Sequence, residues 1–120
     1  MKLLAPDIIK KRWGSEFVIC NNEEFCGKIL LFCKGAQFSM HFHASKREVF
    51  YVLRGIIQLT VIDTTTSLHE TRQLSIGEIV EIPRLTPHQI KALTEAEVIE
   101  FSTHHEDSDS YRVAPGDSQK

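Results

Sequence analysis

The sequence has no apolar run long enough to cross a membrane as a helix. A helical span needs about 20 predominantly apolar residues, whereas the longest uncharged apolar run here covers only residues 29–33. The apolar stretch at the start of the chain is too short for a signal peptide. With 6 Gly and 4 Pro in 120 residues, the composition also excludes a collagen-like or low-complexity chain. We therefore expect no membrane partner and a cytoplasmic location.

Cysteine is scarce, and no excess of positive charge is present. Cys20, Cys26 and Cys33 are odd in number and lack Cys-x-x-Cys spacing, which favours free cytosolic thiols over a disulfide framework or a Cys-based zinc site. The 14 Lys and Arg residues are outnumbered by 16 Asp and Glu residues, and the only basic cluster is residues 10–12. Because nucleic-acid binders carry a basic stripe, we expect no nucleic-acid partner.

The chain does contain a regular series of short runs rich in β-branched and aromatic residues, separated by turn residues. These runs recur about every 8 to 12 residues, a spacing typical of an all-β barrel or sandwich. Helical patterns are scarce, and only residues 6–13, with Pro6 near a first helical position, favour one or two turns of helix. Nine strands are predicted, over residues 17–20, 28–33, 37–43, 48–54, 56–62, 68–74, 79–82, 89–93 and 97–102.

The length of 120 residues predicts one domain. Within it we expect an N-terminal arm over residues 1–14, a β-barrel over residues 15–103, and a C-terminal strap and flexible tail over residues 104–120. The barrel is predicted to end where the composition becomes polar and acidic. Residues 111–113 could dock on the barrel, whereas the last five residues are expected to fray.

One segment carries a pattern of metal-binding residues. Gly35 is followed by His41, His43, Glu48 and Gly55. Two histidines two positions apart on a strand project from the same face, and the turn that follows can bring the Glu48 carboxylate beside them. Two imidazoles and a carboxylate suit Mn, Fe, Zn, Ni or Co. We therefore predict a site for a divalent transition metal.

A second segment offers a further ligand. Gly77 is followed by Pro83 and His88, so that His88 would add a third imidazole from a separate strand. Ligands on separate strands hold a metal rigidly and leave coordination positions free for substrate. The predicted metal ligands are therefore His41, His43, Glu48 and His88.

These two spacings resemble the two motifs of the cupin superfamily. The first motif, G(X)5HXH(X)3–4E(X)6G, is met in full from Gly35 to Gly55. The second, G(X)5PXG(X)2H(X)3N, is met at its first glycine, its proline and its histidine, but Leu85 replaces a glycine and Ala92 replaces the asparagine. The resemblance implies an all-β, single-domain cupin β-barrel, also called a double-stranded β-helix or jelly roll.

A narrower resemblance extends over nearly the whole chain. Residues 11–16, 26–30 and 39–41 resemble small cupins related to mannose-6-phosphate isomerase, including the C-terminal domain of type II enzymes of that name, which end in a segment similar to residues 109–113. This resemblance implies a sugar or sugar-phosphate isomerase, in which a metal acts as a Lewis acid and a base moves a proton between adjacent carbons. Glu100 is the candidate for that base if it faces inward, although we expect it to face outward.

The other polar residues near these motifs are less informative. His69 lies in a polar run, and His104 and His105 are adjacent on the chain, so that at most one of that pair can face inward; all three are expected at the surface. Lys46 and Arg84 lie in loops beside predicted ligands. Each could contact an anionic group or be exposed to solvent.

The strand predicted over residues 37–43 has an apolar face opposite its histidines. Phe38, Met40 and Phe42 would point outward if the metal lies inside the barrel, and an exposed apolar patch usually marks an interface. We predict a homodimer that buries these three side chains. The same surface would be extended by Val49, Tyr51 and Leu53.

The predicted metal site does not define a reaction, because one fold hosts many chemistries. One interpretation is the sugar or sugar-phosphate isomerase. A second is an iron-dependent dioxygenase, with substrate and oxygen at open positions on the iron. A third is a non-catalytic module that binds a small sugar or organic acid in the same pocket.

Overall fold

The computed structural model describes residues 1–120 as eleven strands, with two single-turn 3₁₀ helices at Asp107–Asp109 and Asp117–Gln119. Neither helix has the length or the apolar character needed to pass through a bilayer. The strands are β1 (Asp7–Lys11), β2 (Gly14–Asn21), β3 (Cys26–Phe32), β4 (Met40–Phe42), β5 (Glu48–Arg54), β6 (Ile57–Ile62), β7 (His69–Leu74), β8 (Ile79–Ile82), β9 (His88–Ala92), β10 (Ala96–Ser102) and β11 (Tyr111–Ala114).

The strands form two antiparallel sheets, with strand orders β1-β2-β3-β10-β5-β8 and β11-β4-β9-β6-β7. Several neighbours are distant in sequence, as where β10 lies between β3 and β5. In β3 and β10 nearly every second residue is buried, because a strand projects successive side chains to opposite faces. This arrangement confirms the predicted all-β jelly roll.

The apolar core lies inside the barrel and borders directly on its polar residues. Phe50, Val52, Ile90 and Val98 are completely or almost completely buried. The ring of Phe50 packs against the imidazole of His88, with ring centroids 5.9 Å apart. One of the predicted metal ligands, His88, is therefore packed directly against the apolar core.

The helical turn predicted over residues 6–13 is wrong. Residues Asp7–Lys11 form β1, which pairs with β2 in a tight hairpin that aligns Lys11 with Gly14. Gly14 has a φ of 148°, and a Cβ atom there would lie 1.7 Å from the carbonyl oxygen of Leu31. The turn brings Trp13 into the core, where its ring stacks on Phe32 at a centroid distance of 4.7 Å. Burial of this large aromatic ring favours the hairpin over the local helical preference.

The dimer surface predicted at Phe38, Met40 and Phe42 is also wrong. Phe38 and Met40 are only 8% and 5% exposed, and Phe42 is covered by Tyr111, whose ring stacks on it at 5.1 Å. The prediction failed because residues 37–43 are not one continuous strand: β4 begins at Met40. Without strict alternation, Phe38 lies on the same side as His41, with ring centroids 5.1 Å apart. The protein's own chain buries Phe38 and Met40 and partly covers Phe42.

The C-terminal segment packs along the barrel. Strand β11 pairs with β4 and aligns Tyr111 with Phe42, so residues 111–113 dock on the barrel. Gly116 is buried so closely that a Cβ atom would lie 2.3 Å from the carbonyl carbon of Phe38. Asp117 donates its backbone N–H to the carbonyl oxygen of Gln37 and accepts the N–H of the same residue. The segment that was expected to fray thus makes specific contacts.

Candidate metal centre

Two neighbouring strands place the three histidines of the predicted ligand set at one end of the barrel. Antiparallel pairing of β4 with β9 aligns His41 with His88, and His43 follows β4 directly. Because residues opposite each other in an antiparallel pair project to the same face, the imidazoles of His41 and His88 meet. One ring nitrogen from each of the three histidines lies within 4.8 Å of the others.

Glu48 joins this cluster from the first position of β5. Its Oε1 atom lies 2.8 Å from Nε2 of His88 and 3.6 Å from Nε2 of His43. The structure therefore brings all four predicted ligands together. They lie on or directly after three different strands, β4, β5 and β9.

Backbone hydrogen bonds orient each imidazole of the cluster. A carbonyl oxygen can only accept a hydrogen bond, so the ring nitrogen that faces it carries the proton. This leaves Nε2 of every ring with a free lone pair, which is how metal-binding histidines are commonly oriented. The Nδ1–H groups of His41, His43 and His88 donate to the carbonyl oxygens of Ser39 (2.7 Å), Asp109 (2.8 Å) and Thr86 (2.9 Å), respectively.

Two polar atoms at the centre of the cluster lack hydrogen-bond partners. Oε1 of Glu48 and Nε2 of His88 are fully buried, and although they lie 2.8 Å apart, neither makes a hydrogen bond of acceptable geometry. Buried polar atoms without partners are rare and costly. A cation would satisfy both atoms at once, and imidazole and carboxylate are suitable donors for a divalent transition metal. The residues present therefore fit such an ion.

The protonation states of the cluster suit metal binding. Burial, aided by the nearby charge of His88, lowers the pKa of His41 to about 3, and burial with the charge of Lys46 lowers that of His43 to about 4. Burial alone would raise the pKa of Glu48, but the positive charge of Lys46 holds it below its ordinary value. At neutral pH His41 and His43 are thus neutral imidazoles and Glu48 is a carboxylate, which are the forms that bind metals.

Glu100 faces the interior, so its predicted outward orientation is wrong. It is 4% exposed, and its Oε2 atom accepts a hydrogen bond from Nζ of Lys46 at 3.1 Å. The same ammonium group lies 3.4 Å from Oε2 of Glu48. The alternation along β10 carries the signal that was missed, because Val98 is a core residue and Glu100 lies on the same face two positions later.

Lys46 is buried as well, although it lies in the turn between two predicted ligands. Burial alone would lower its pKa, but the charges of Glu100 and Glu48 raise the pKa above its ordinary value. Lys46 is therefore an ammonium ion at neutral pH, and it links the predicted metal ligand Glu48 to the second carboxylate. The interpretation of Lys46 as an exposed loop residue does not hold.

The other predicted surface residues divide into two groups. His105 was expected at the surface, but its side chain is only 19% exposed, and its Nδ1 atom lies 3.1 Å from Nζ of Lys46. His69 is exposed as expected, and His104 bonds at the surface to the carbonyl oxygen of Asn22. The guanidinium of Arg84 donates to the carbonyl oxygen of Ser45. Of this group, only His105 extends the site.

Comparison with known proteins places this site in a family. Residues 29–104 match the family model described as a cupin domain. The chain belongs to the cupin family. The matched region contains all four residues of the cluster, together with Glu100 and Lys46.

Three known proteins illustrate how far the similarity of this cupin extends. It is 29% identical over 75 residues to a mannose-1-phosphate guanylyltransferase of Sinorhizobium fredii, covering 62% of the chain and 14% of that protein. The capsular polysaccharide assembling protein CapF of Staphylococcus aureus superposes with a TM-score of 0.80 at 19% identity, over 92% of this chain and 34% of that one. Oxalate decarboxylase of Bacillus subtilis, a protein with Mn(II) centres, superposes with a TM-score of 0.77 at 16% identity, over 90% and 30%. The two structural similarities show the fold alone, and the cupin spans 14% of the length of its curated relative.

The metal-ligand cluster of this cupin opens into a cavity of about 160 Å³ with a mainly polar lining. Sequence reasoning missed a second ion pair in its wall, in which Nζ of Lys28 lies 2.7 Å from Oε1 of Glu16. Lys28 is buried and shares its face of β3 with Leu30 and Phe32. That alternation is visible in the sequence and indicates an inward-facing lysine. Arg112 of β11 also lines the cavity.

Proposed function

We propose that this cupin binds a divalent transition metal through His41, His43, Glu48 and His88, and that it isomerises a small sugar or sugar phosphate. The observation that carries the reaction type is the buried Lys46–Glu100 pair in the wall of the cavity that the four ligands share. An inward carboxylate beside a metal centre is the second catalytic group that an isomerase needs.

The four ligands and Glu100 have separate roles in the proposed reaction. Isomerisation moves a proton between adjacent carbons, one of them bearing a carbonyl group and the other a hydroxyl group. A divalent metal bound by the four ligands would supply Lewis-acid polarisation of those oxygens. Glu100 takes the proton from the hydroxyl-bearing carbon and delivers it to the carbonyl carbon, and the hydroxyl proton passes to the carbonyl oxygen. The Lys46 ammonium holds the carboxylate in place through its 3.1 Å hydrogen bond.

The volume and the charge of the cavity favour a small, anionic substrate. Its volume of about 160 Å³ is below the roughly 300–1,000 Å³ of sites for drug-sized ligands. Pairing of β11 with β4 aligns Arg112 with His41, so Arg112 projects to the same side of the sheet as that histidine. The Arg112 guanidinium makes no hydrogen bond or ion pair with the rest of the chain. Guanidinium groups bind phosphate and carboxylate groups well. A sugar phosphate also agrees with the name of the guanylyltransferase relative, which refers to a mannose phosphate.

Exchange of carbon-bound protons with solvent tests the proposal. The protein, loaded separately with Mn, Fe, Zn, Co or Ni, is incubated in deuterated water with paired free and phosphorylated aldoses and ketoses. We expect deuterium at the carbon next to the carbonyl group, detected by NMR, together with the isomeric sugar. Oxygen consumption by the iron form without exchange would favour a dioxygenase instead. Ligand binding with neither reaction would favour a non-catalytic module.

We further propose that the chain forms a homodimer through the outer face of its six-stranded sheet. Cross-strand pairing lines up a row of apolar residues on this face, including Ile99 on β10 and Ile79, which is 66% exposed. A contiguous apolar row on an exposed sheet face usually marks an interaction surface. The full row is Phe17, Ile29, Ile99, Tyr51 and Ile79.

A charge introduced into this row is expected to separate the dimer. Ile99→Arg would place an unpaired guanidinium in the centre of the buried face, which is strongly unfavourable. Sedimentation velocity at micromolar concentration should show a dimer for the wild-type protein and a monomer for the variant. Thr71→Arg, on an exposed position of β7 in the other sheet, should remain dimeric. A wild-type protein that sediments as a monomer would contradict the proposal.

A further inference from the structure

The turn that connects two predicted metal ligands is held by a side chain from a distant part of the sequence. Between His43 and Glu48 the chain has no regular secondary structure. The carboxylate of Asp109 accepts hydrogen bonds from three successive backbone N–H groups of this turn. The donors are Ala44 (2.9 Å), Ser45 (3.1 Å) and Lys46 (3.0 Å).

The main chain of the same residue contacts a ligand directly. The carbonyl oxygen of Asp109 accepts the Nδ1–H of His43 at 2.8 Å. This bond selects the tautomer of His43 whose Nε2 faces Glu48 and sets the orientation of the ring. Asp109 therefore contacts one ligand through its carbonyl group and holds the turn that leads to the next ligand through its carboxylate.

Asp109 is in turn anchored to the barrel. It ends the 3₁₀ helix Asp107–Asp109 and is followed closely by β11, which pairs with the ligand strand β4. The stacked rings of Tyr111 and Phe42 reinforce this pairing two residues beyond Asp109. Because it is anchored on the strand that carries His41, Asp109 has a defined position relative to the whole cluster.

We infer that Asp109 is a positioning residue of the metal centre, which keeps His43 and Glu48 in place for the ion. This inference rests on the metal site of the proposed function and adds to it a residue outside the four ligands. Removal of a group that orients a metal ligand typically weakens metal binding by about 10- to 100-fold. The Asp109 carboxylate holds the turn as one unit, because it accepts hydrogen bonds from the first three backbone N–H groups of the turn.

Cobalt binding to the intact chain tests the inference without any enzymatic assay. Dissociation constants for Co(II) are measured by competition with a chromophoric chelator, and the visible spectrum is recorded at saturating Co(II). We expect Asp109→Ala to bind Co(II) about 10- to 100-fold more weakly, with altered bands that report a changed ligand arrangement. Asp109→Asn keeps one side-chain acceptor and should lie between the two.

Asp63 provides a matched control. Its carboxylate also accepts successive backbone N–H groups in a turn, from Thr65 at 2.8 Å and Thr66 at 3.2 Å, but none of its hydrogen bonds reaches a predicted ligand or the turn between His43 and Glu48. Asp63→Ala should keep the wild-type affinity and spectrum. Circular dichroism establishes that each variant is folded, and if Asp109→Ala is not, Asp109→Asn carries the comparison.

The possible outcomes distinguish a failure of this inference from a failure of the proposed metal site. If the folded Asp109 variants bind Co(II) with wild-type affinity and spectrum, Asp109 has no positioning role and the inference is overturned. Equal losses in Asp109→Ala and Asp63→Ala would also overturn it, because they would reflect a general effect of losing a turn cap. If the wild-type protein itself does not bind Co(II), the proposed metal site fails.

Discussion

His88→Ala is expected to abolish the thermal stabilisation that a transition metal gives to the wild-type protein. A ligand present at 100 times its Kd stabilises the folded state by about 2.7 kcal/mol, which corresponds to a rise in Tm of roughly 10 °C for a chain of this size. His88 supplies a buried Nε2 without a hydrogen-bond partner, so its removal leaves both a ligand vacancy and a cavity. Differential scanning calorimetry with and without Zn(II) measures the effect.

The control for this experiment is another histidine of the same chain. His104 bonds at the surface to the carbonyl oxygen of Asn22 and belongs to no cluster of metal-binding atoms. His104→Ala should keep the full metal-dependent rise in Tm. An equal rise in wild-type protein and His88→Ala would show that the metal binds elsewhere or not at all, and the proposed centre would have to be abandoned.

Glu100→Gln is expected to reduce the rate of proton exchange between substrate and solvent by about 10²- to 10⁴-fold, the usual contribution of a general base. The amide has nearly the shape of the carboxylate and can still accept the hydrogen bond from Lys46, but it cannot take up a proton from carbon. Metal affinity should change little, because Glu100 contacts Lys46 and Ser102 rather than a ligand. NMR in deuterated water gives the exchange rate.

Glu97 offers a comparison on the same strand. It lies on the outer face of β10 and pairs with Arg54 at 3.0 Å, so Glu97→Gln makes the same chemical change outside the cavity. Exchange at the wild-type rate is expected for this variant. Wild-type exchange in Glu100→Gln as well would remove Glu100 from the mechanism and leave the isomerase proposal without its base.

The positions of the four clustered residues were predictable because short-range geometry largely determines them. His41 and His43 are two residues apart on one strand, and Glu48 follows after a single turn. The motif spacing added His88, and β4 pairs with β9 in the register that brings it to His41. The strand rhythm likewise predicted the all-β fold, since alternation and turn residues are properties of each local segment.

Errors arose where a contact between distant segments overrides a local pattern. The 6–13 region forms a strand because Trp13 is buried against Phe32. Phe38 is buried because the chain leaves strand geometry before Met40. Neither packing contact has a signature in the surrounding sequence.

Local periodicity predicted an all-β fold, and motif spacing identified the four side chains that meet inside it, because both patterns are properties of short segments of the chain. The folded arrangement of the chain sets what surrounds these four side chains. It turned Glu100 and Lys46 into a buried ion pair and brought Asp109 to the turn beside His43. These contacts join residues more than 50 positions apart, so they depend on how the sheets pack and on where the C-terminal strand docks.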